Sequence, residues 1–256
     1  MTAAGVDVVI PASPEEAVRA FGDGSDVTVL SGGTIVMPDL VYGRLRPNRV
    51  LMLGRSGLDG VGREGRTVTI GAGVAVSALE QLDEPLASAA RHVGDVEVRA
   101  QATLGGNICA APGGDAPRGD LQAPLIALGA RVRSAGKGGE RTDSVEEFLA
   151  QGATGRLVLD VSYDDVERSA GYAAAWRPHT HHYTILAVAA AKAGDELRVA
   201  ATGVGPHGIR LTSVEQTGKP EAALDDCEPV DDALASAWYR RKVLPKLVER
   251  ALKGVA

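Results

Sequence analysis

Two glycine pairs, each at the end of an apolar stretch, constrain this chain more than any other feature. Leu30-Ser-Gly-Gly-Thr34 closes the β-branched run Val27–Leu30, and Thr103-Leu-Gly-Gly-Asn107 repeats the design much further along. Gly32 and Gly33 can take backbone conformations closed to other residues. A turn of that kind can aim successive N–H groups into one concavity, which suits an anion. A helix starting near Thr34 would add the attraction of its N-terminal dipole. Two such loops could share a diphosphate, with Thr103 and Asn107 adding side-chain donors. Taken singly, a Gly-Gly between strand and helix is more commonly just a tight turn, so both readings stay open from the residues alone. Neither loop is G-x-G-x-x-G, nor is Gly71-Ala-Gly73, and a Rossmann-type nucleotide fold is therefore not supported.

Composition narrows the classes further. With 256 residues the chain can bury a substantial core in one large domain or two modest ones. Aromatics are only 4% against 32 Gly, which favours backbone-lined sites over stacking platforms. A formal net charge of -6 lacks the electrostatic footprint of nucleic-acid binding. No apolar run approaches the roughly 20 residues of a membrane span, and the start lacks the basic flank and apolar stretch of a signal peptide. Cys109 and Cys227 lie far apart with no C-x-x-C, so neither a structural disulfide nor an iron–sulfur cluster built from this chain alone is expected. The chain reads as cytoplasmic and reduced. His179-Thr-His181-His182 is dense in imidazole, but no neighbouring acidic or Cys residue completes a metal site, and none is expected. His92 and His207 are isolated, Cys109 reads as a small packed residue, and no catalytic residue is assigned.

The elements follow from local signals. Val6–Ile10 reads as a strand, and Ser13-Pro-Glu-Glu16 opens a helix with a capping box. Strands are expected at Val27–Leu30, Leu51–Leu53 and Val68–Ile70, the last two separated by a turn-rich Gly54–Gly65. Val76–Leu82 and Pro85–Val93 look helical. Thr103–Gly119 reads as irregular, ending at Asp120, which could cap a helix over Leu121–Leu128. Beyond a strand at Arg131–Arg133 and a loop at Ala135–Arg141, Ser144-Val-Glu-Glu147 repeats the capping box. Leu157–Tyr163 and Glu196–Thr202 read as strands, Tyr183–Lys192 as an alanine-rich apolar segment, and Asp232–Lys253 as a long amphipathic helix kinked at Pro245.

Several motifs then fall into a known order. Ser31-Gly-Gly-Thr-Ile-Val-Met-Pro38 resembles A-G-G-T/H-x-L-x-P, and Arg46-Pro-Asn-Arg-Val-Leu-Met-Leu53 resembles R-P-x-x-L-V-D-L. Val68-Thr-Ile-Gly-Ala-Gly73 is similar to V-x-I-G-A, and Val93-Gly-Asp-Val-Glu-Val-Arg99 leads into Ala102-Thr-Leu-Gly-Gly-Asn107. Ala235-Ser-Ala-Trp-Tyr-Arg-Arg-Lys-Val-Leu-Pro-Lys-Leu looks like a C-terminal helix of the same set. Together these resemble the FAD-binding medium subunit of molybdenum hydroxylases, the family of aerobic carbon monoxide dehydrogenase and xanthine dehydrogenase.

The resemblance implies an α+β fold of the vanillyl-alcohol-oxidase type (p-cresol methylhydroxylase-like). Residues 1–150 would form the FAD-binding domain, in two subdomains split near 54–60, and 151–256 a small C-terminal α+β domain. It implies that Ser31, Gly32, Gly33, Thr34 and Ile35, with Thr103, Gly105, Gly106 and Asn107, wrap the FAD diphosphate. Ala72, Val93 and Gly94 would line the cleft. An Asp after the second loop would contact ribose or adenine. Asp120 precedes the better-matching segment but sits farther from Asn107 than the family spacing, while Asp115 keeps the spacing and lacks the following Leu. A plain N-cap is the other reading of Asp120. Arg177 stands where the family often carries a Lys or Arg near the flavin ring, although a surface Arg is the plainer reading; Ile185 or the Val158 strand could pack on the ring, with ordinary core the plainer reading of both. Molybdopterin and [2Fe-2S] clusters are expected on partner chains, an iron–sulfur small subunit and a molybdenum large subunit in a heterotrimer or its dimer. By the resemblance this chain would pass electrons to a small-molecule acceptor. Two rivals remain: a stand-alone FAD-dependent oxidase or reductase of the same fold, and a flavin-free assembly protein.

Overall fold

Three β-sheets organise the chain in the computed structural model, which describes residues 5–110, 119–177 and 183–256. The first sheet is parallel, with strand order β1-β3-β2. It contains β1 (Asp7–Val9), β2 (Val27–Leu30) and β3 (Arg49–Met52), linked by helices α1 (Pro14–Phe21) and α2 (Val36–Val41). Ser13 caps α1 as expected, its Oγ accepting from the Glu16 N–H at 3.2 Å. The Glu16 carboxylate reaches back one residue further than a capping box requires, accepting from the Ala12 N–H at 2.8 Å. Ala17 and Phe21 of α1 bury against Leu51 on one side and Leu157 and Leu159 on the other, so this unit is seated on the next sheet.

The second sheet is antiparallel, in the order β4-β5-β8-β6-β7. Its strands are β4 (Val61–Glu64), β5 (Thr67–Gly71), β6 (Arg131–Gly136), β7 (Gly139–Ser144) and β8 (Arg156–Asp164). Among the described residues, five short helices run between β5 and β6: α3 (Val76–Leu79), α4 (Leu86–Arg91), α5 (Val96–Gln101), α6 (Leu104–Ile108) and α7 (Gln122–Ala127). They share a core with the sheet that includes Ile70, Leu79, Leu86, Leu104, Ile126 and Val161. After β7 comes α8 (Val145–Gln151), where Ser144 and Glu147 close the expected capping box.

The third sheet is also antiparallel, in the order β12-β11-β10-β9. It contains β9 (Ser169–Trp176), β10 (Thr184–Ala193), β11 (Glu196–Thr202) and β12 (Ile209–Arg210), and is followed by α9 (Thr212–Thr217) and α10 (Ala237–Leu252). The alanine-rich segment is the central strand β10. Leu186, Val188 and Ala190 bury in one core with Leu244, Leu247 and Val248 of α10. The alternate residues Ala189 and Ala191 join the core of the second sheet. Period-two alternation therefore distributes one strand between two cores, and small side chains let both layers approach.

Several local expectations are corrected. The turn-rich Gly54–Gly65 contains β4, because Val61–Glu64 pairs with β5 despite being exposed. The irregular Thr103–Gly119 contains α6, which Thr103 caps through its side chain. The expected loop Ala135–Arg141 is a β6–β7 hairpin. Asp120 does not cap α7, which starts at Gln122 with no side-chain cap bond. Instead the Leu121 N–H donates to Asn107 Oδ1 at 2.9 Å, so the second glycine loop serves that helix end. The division expected near residue 150 precedes β8, which pairs with both β5 and β6.

A Cβ on Gly171 of β9 would overlap the carbonyl oxygen of Ala251 in α10. Gly171→Ala should therefore lift α10 from the sheet and cost about 1–3 kcal/mol, the usual range for overpacking. Chemical denaturation of the two proteins checks this, and an unchanged midpoint would refute the packing account.

Candidate functional site

The two glycine loops meet face to face. Thr103 Oγ1 donates to Ser31 Oγ at 3.0 Å and accepts from the Gly106 N–H at 3.3 Å. A Cβ on Gly32 would overlap the Gln101 carbonyl oxygen, so only glycine permits this approach of the backbones. Gly33 sits at φ 77°, in the left-handed region that favours glycine. The second loop is pinned from behind by the segment after β5. The Gly105 N–H donates to the Ala72 carbonyl at 2.8 Å, the Leu104 N–H to Val74 at 2.9 Å, and the Val76 N–H to Ala102 at 2.8 Å.

Beside this junction lies a cavity of about 470 Å³, within the range of small-molecule sites. Ser31, Gly32, Gly33, Thr34 and Ile35 line it, as do Ala72, Val93, Gly94, Thr103, Gly105, Gly106, Asn107 and Asp120. The fold thus gathers thirteen of the fifteen expected binding residues on one wall system. Among the described residues, the N–H groups of Gly32, Gly33, Thr34 and Ile35 have no acceptor, leaving consecutive donors beside the cavity. Since Asn107 Oδ1 is taken by Leu121, its amide NH₂ is the group left to donate.

Two expected residues remain. Asp115 falls outside the described residues, as do His179, His181 and His182. Arg177 does not line the cavity; it is exposed at the end of β9, with Nη1 3.5 Å from the Ala233 carbonyl. Its N–H pairs instead with the carbonyl of Tyr183, and Tyr183 does line the cavity. Val158 also lies on the wall, whereas Ile185 is buried in the core shared with α10.

Sequence reasoning missed the side of the cavity made by Phe21, Gly24, Val27, Val29 and the turn before β8. Those residues carry no motif and meet only through folding. It also missed Arg156, which with Asp120 makes up the charged lining among the described residues. The Arg156 side chain is 11% exposed, lies 3.8 Å from Asp143 and donates to Ser134 Oγ. A lone Arg at the head of an apolar strand was the signal available. Burial pushes the Cys109 thiol up to about 12, so at neutral pH this lining residue is a protonated, unreactive group. Burial first, and the charge of Asp120 second, push the Tyr172 hydroxyl well above its ordinary value.

Residues 4–162 match the family model described as the FAD binding domain in molybdopterin dehydrogenase. The chain belongs to this family. As the ordered motifs implied, it is an FAD-binding subunit of the molybdenum dehydrogenase type, with a mixed α/β fold. The caffeine dehydrogenase subunit beta of Pseudomonas sp. strain CBB1 is 30% identical, with 98% of this chain and 94% of that relative covered. The carbon monoxide dehydrogenase medium chain of Hydrogenophaga pseudoflava is 28% identical over 95% of this chain and 94% of its own. A solved structure of carbon monoxide dehydrogenase from that organism, lacking the Mo-pyranopterin moiety of its molybdenum cofactor, superposes with a TM-score of 0.82. It shares 25% identity, over 98% of this chain and 96% of that one. The cavity fits the FAD of this family on its own chemistry: a dinucleotide diphosphate needs consecutive N–H donors and a wall without side chains in the way. The glycine loops supply both.

Gly32→Ala should force the loops apart and sharply reduce bound flavin. Gly106→Ala, whose Cβ would press only on Thr103 Oγ1 at 3.1 Å, should cost the flavin-free fold less stability than Gly32→Ala does. Flavin-to-protein absorbance ratios and thermal melts of the two variants test this, and full flavin in Gly32→Ala would contradict the loop contact.

Proposed function

We propose that this chain clamps the FAD diphosphate between Ser31–Ile35 and Thr103–Asn107, and relays electrons from a partner subunit's iron–sulfur clusters to an external small-molecule acceptor. One observation carries the site assignment: two glycine turns, bonded to each other, line a single cavity, and the first of them leaves the N–H groups of residues 32–35 without an acceptor among the described residues. Within this reading Asn107 donates its amide NH₂ to the cofactor, and the buried carboxylate of Asp120 accepts from ribose hydroxyls. Asp120 is chosen over Asp115 because it lies on the wall. Ala72, Val93 and Gly94 exclude water along the cleft. Tyr183, rather than Arg177, stands at that end of the β9–β10 pair.

When bound, FAD supplies the conversion between one-electron and two-electron transfer. The residues around it bind and orient. Among the described lining residues there is no histidine or lysine, Cys109 is held protonated, and the one carboxylate, Asp120, is engaged by the cofactor's ribose in this reading. That favours the subunit over a stand-alone oxidase.

The same reading includes a vanillyl-alcohol-oxidase-type fold, with the parallel sheet and the second sheet as its two flavin subdomains and β9–α10 as the C-terminal domain. The boundary fits best after Asp164, since β8 is bonded into the second sheet. It also includes a heterotrimer, or its dimer, with an iron–sulfur small subunit and a molybdenum large subunit in the cytoplasm. Supporting it, relatives are named as the medium chain or a subunit of dehydrogenase complexes. Both cysteines are free, and among the described residues no helix is long and apolar enough to cross a membrane.

The purified protein, given FAD, should acquire a flavin absorbance spectrum at one flavin per chain. A colourless protein that binds no FAD would point to the assembly-protein reading. Affinity purification from its native host should bring down subunits containing molybdenum and iron. A yellow chain that runs alone and reduces an acceptor with its own small substrate would overturn the relay.

A further inference from the structure

We propose that Arg99 is the positioning residue that sets the Val93–Gly94 wall of the cavity, an inference that rests on the FAD reading above. Arg99 sits in the last turn of α5, and its side chain is 18% exposed. Its Nε bonds Glu80 Oε1 at 2.7 Å. Its Nη1 donates to two carbonyls at once, Val93 at 3.3 Å and Gly94 at 3.2 Å. One guanidinium therefore joins the end of α3, the wall turn and α5.

The turn is anchored on its other side by the Val93 N–H, which donates to the Ala90 carbonyl at 3.1 Å, and by the buried Val93 side chain. Gly94 adopts φ 50° and packs so closely on Val98 that a Cβ would come within 2.9 Å of Val98 Cγ1. Asp95 ties the turn to α5, accepting from the Val98 N–H at 2.8 Å. The far end of α5 runs into Gln101 and Ala102, the backbone against which Gly32 rests. Wall and clamp are thus the two ends of one short helix, and Arg99 fixes that helix to Glu80.

Arg99 is not among the cavity-lining residues, whereas Val93 and Gly94 are. The two carbonyls bonded to Arg99 are therefore drawn towards a group behind the wall. Carbonyl oxygens facing the cavity would repel an electron-rich cofactor edge. With those oxygens engaged on a cation, the wall offers the ligand its C–H side, the Val93 N–H being spent on the Ala90 carbonyl. Lysine cannot replace this arrangement, because its point charge lacks the planar fork that reaches a carboxylate and two carbonyls together.

The test uses the full chain stripped of flavin, with FAD itself as the probe in a fluorescence titration. Arg99→Met should bind FAD roughly ten- to hundred-fold more weakly, the scale of losing hydrogen bonds from a charged donor. Arg99→Lys should stay at least about ten-fold weaker although it keeps the charge, and the visible circular dichroism of its bound flavin at saturation should differ from wild type. Glu80→Gln, which leaves Arg99 its carbonyls, should fall between wild type and Arg99→Met. The flavin-free melting temperatures of Arg99→Lys and Glu80→Gln should stay close to wild type. If Arg99→Lys binds FAD as wild type does, with the same circular dichroism, the positioning role is overturned. It is equally overturned if affinity and flavin-free stability fall in step across the variants, as a merely structural residue would give. Should Arg99→Met fail to fold, Arg99→Lys and Glu80→Gln still decide the matter. A wild-type chain that binds no FAD defeats the cofactor reading itself, a different outcome from either.

Discussion

The contact between Gly32 and the Gln101–Ala102 backbone, closed by the Thr103–Ser31 hydrogen bond, is the constraint on which the rest of the site depends. It joins a parallel βαβ unit to an antiparallel sheet whose strands have no bond to it. The shared core beneath, with Ala17, Phe21, Leu51, Ala135, Leu157 and Leu159, sets the distance between the two units. The loop contact sets their register. A side chain larger than hydrogen at residue 32 would keep the core and lose the register, because the core packs side chains and tolerates small shifts while two touching backbones do not.

That junction also explains how a site can suit a doubly charged ligand with so few cations. Consecutive N–H groups at residues 32–35 are fixed by the fold before any ligand arrives. Hydrogen bonds to a charged partner contribute about 1.5–3 kcal/mol each. Ordering a long cationic side chain would cost up to roughly 2 kcal/mol of rotamer entropy, a penalty rigid backbone donors avoid. Arg156 is the exception; its Nη2 donates to Ser134 and lies near Asp143, while among the described residues its Nε has no hydrogen-bond partner. The low aromatic content and high glycine content visible in the sequence are the compositional trace of this choice.

Local chemistry made part of this legible in advance. Ser13 and Ser144 announced their helices through caps that satisfy orphan N–H groups, and Val27–Leu30 and Glu196–Thr202 fell where β-branched and alternating residues placed them. The motif residues around both glycine loops converge on one cavity. What the sequence hid was long-range. Val61–Glu64 is an exposed edge strand that only its pairing with β5 reveals. Phe21, Gly24 and Arg156 reach the wall because β8 is placed between β5 and β6, a neighbour relation that no local period encodes. Asp120 read as a helix cap because its position relative to α7 fits one. The cap is supplied instead from another segment, by Asn107.

The position of the cavity has a consequence for the fold itself. Its walls come from the first sheet unit, from the helices and β8 of the second unit, and from Tyr183 at the edge of the third sheet. A ligand spanning such a site binds the folded chain and not the unfolded one. It therefore adds stability by mass action, about 4 kcal/mol when free ligand exceeds its dissociation constant a thousand-fold. That is a large share of the 5–15 kcal/mol typical of a folded domain. The first two units meet through an apolar cluster, the backbone junction and the close approach of Gly24 to Gly155, and a bridging cofactor would add to their cohesion. The glycines at the junction would then serve twice: once because the backbones could not otherwise touch, and once because a ligand bound over them would help keep the two units together.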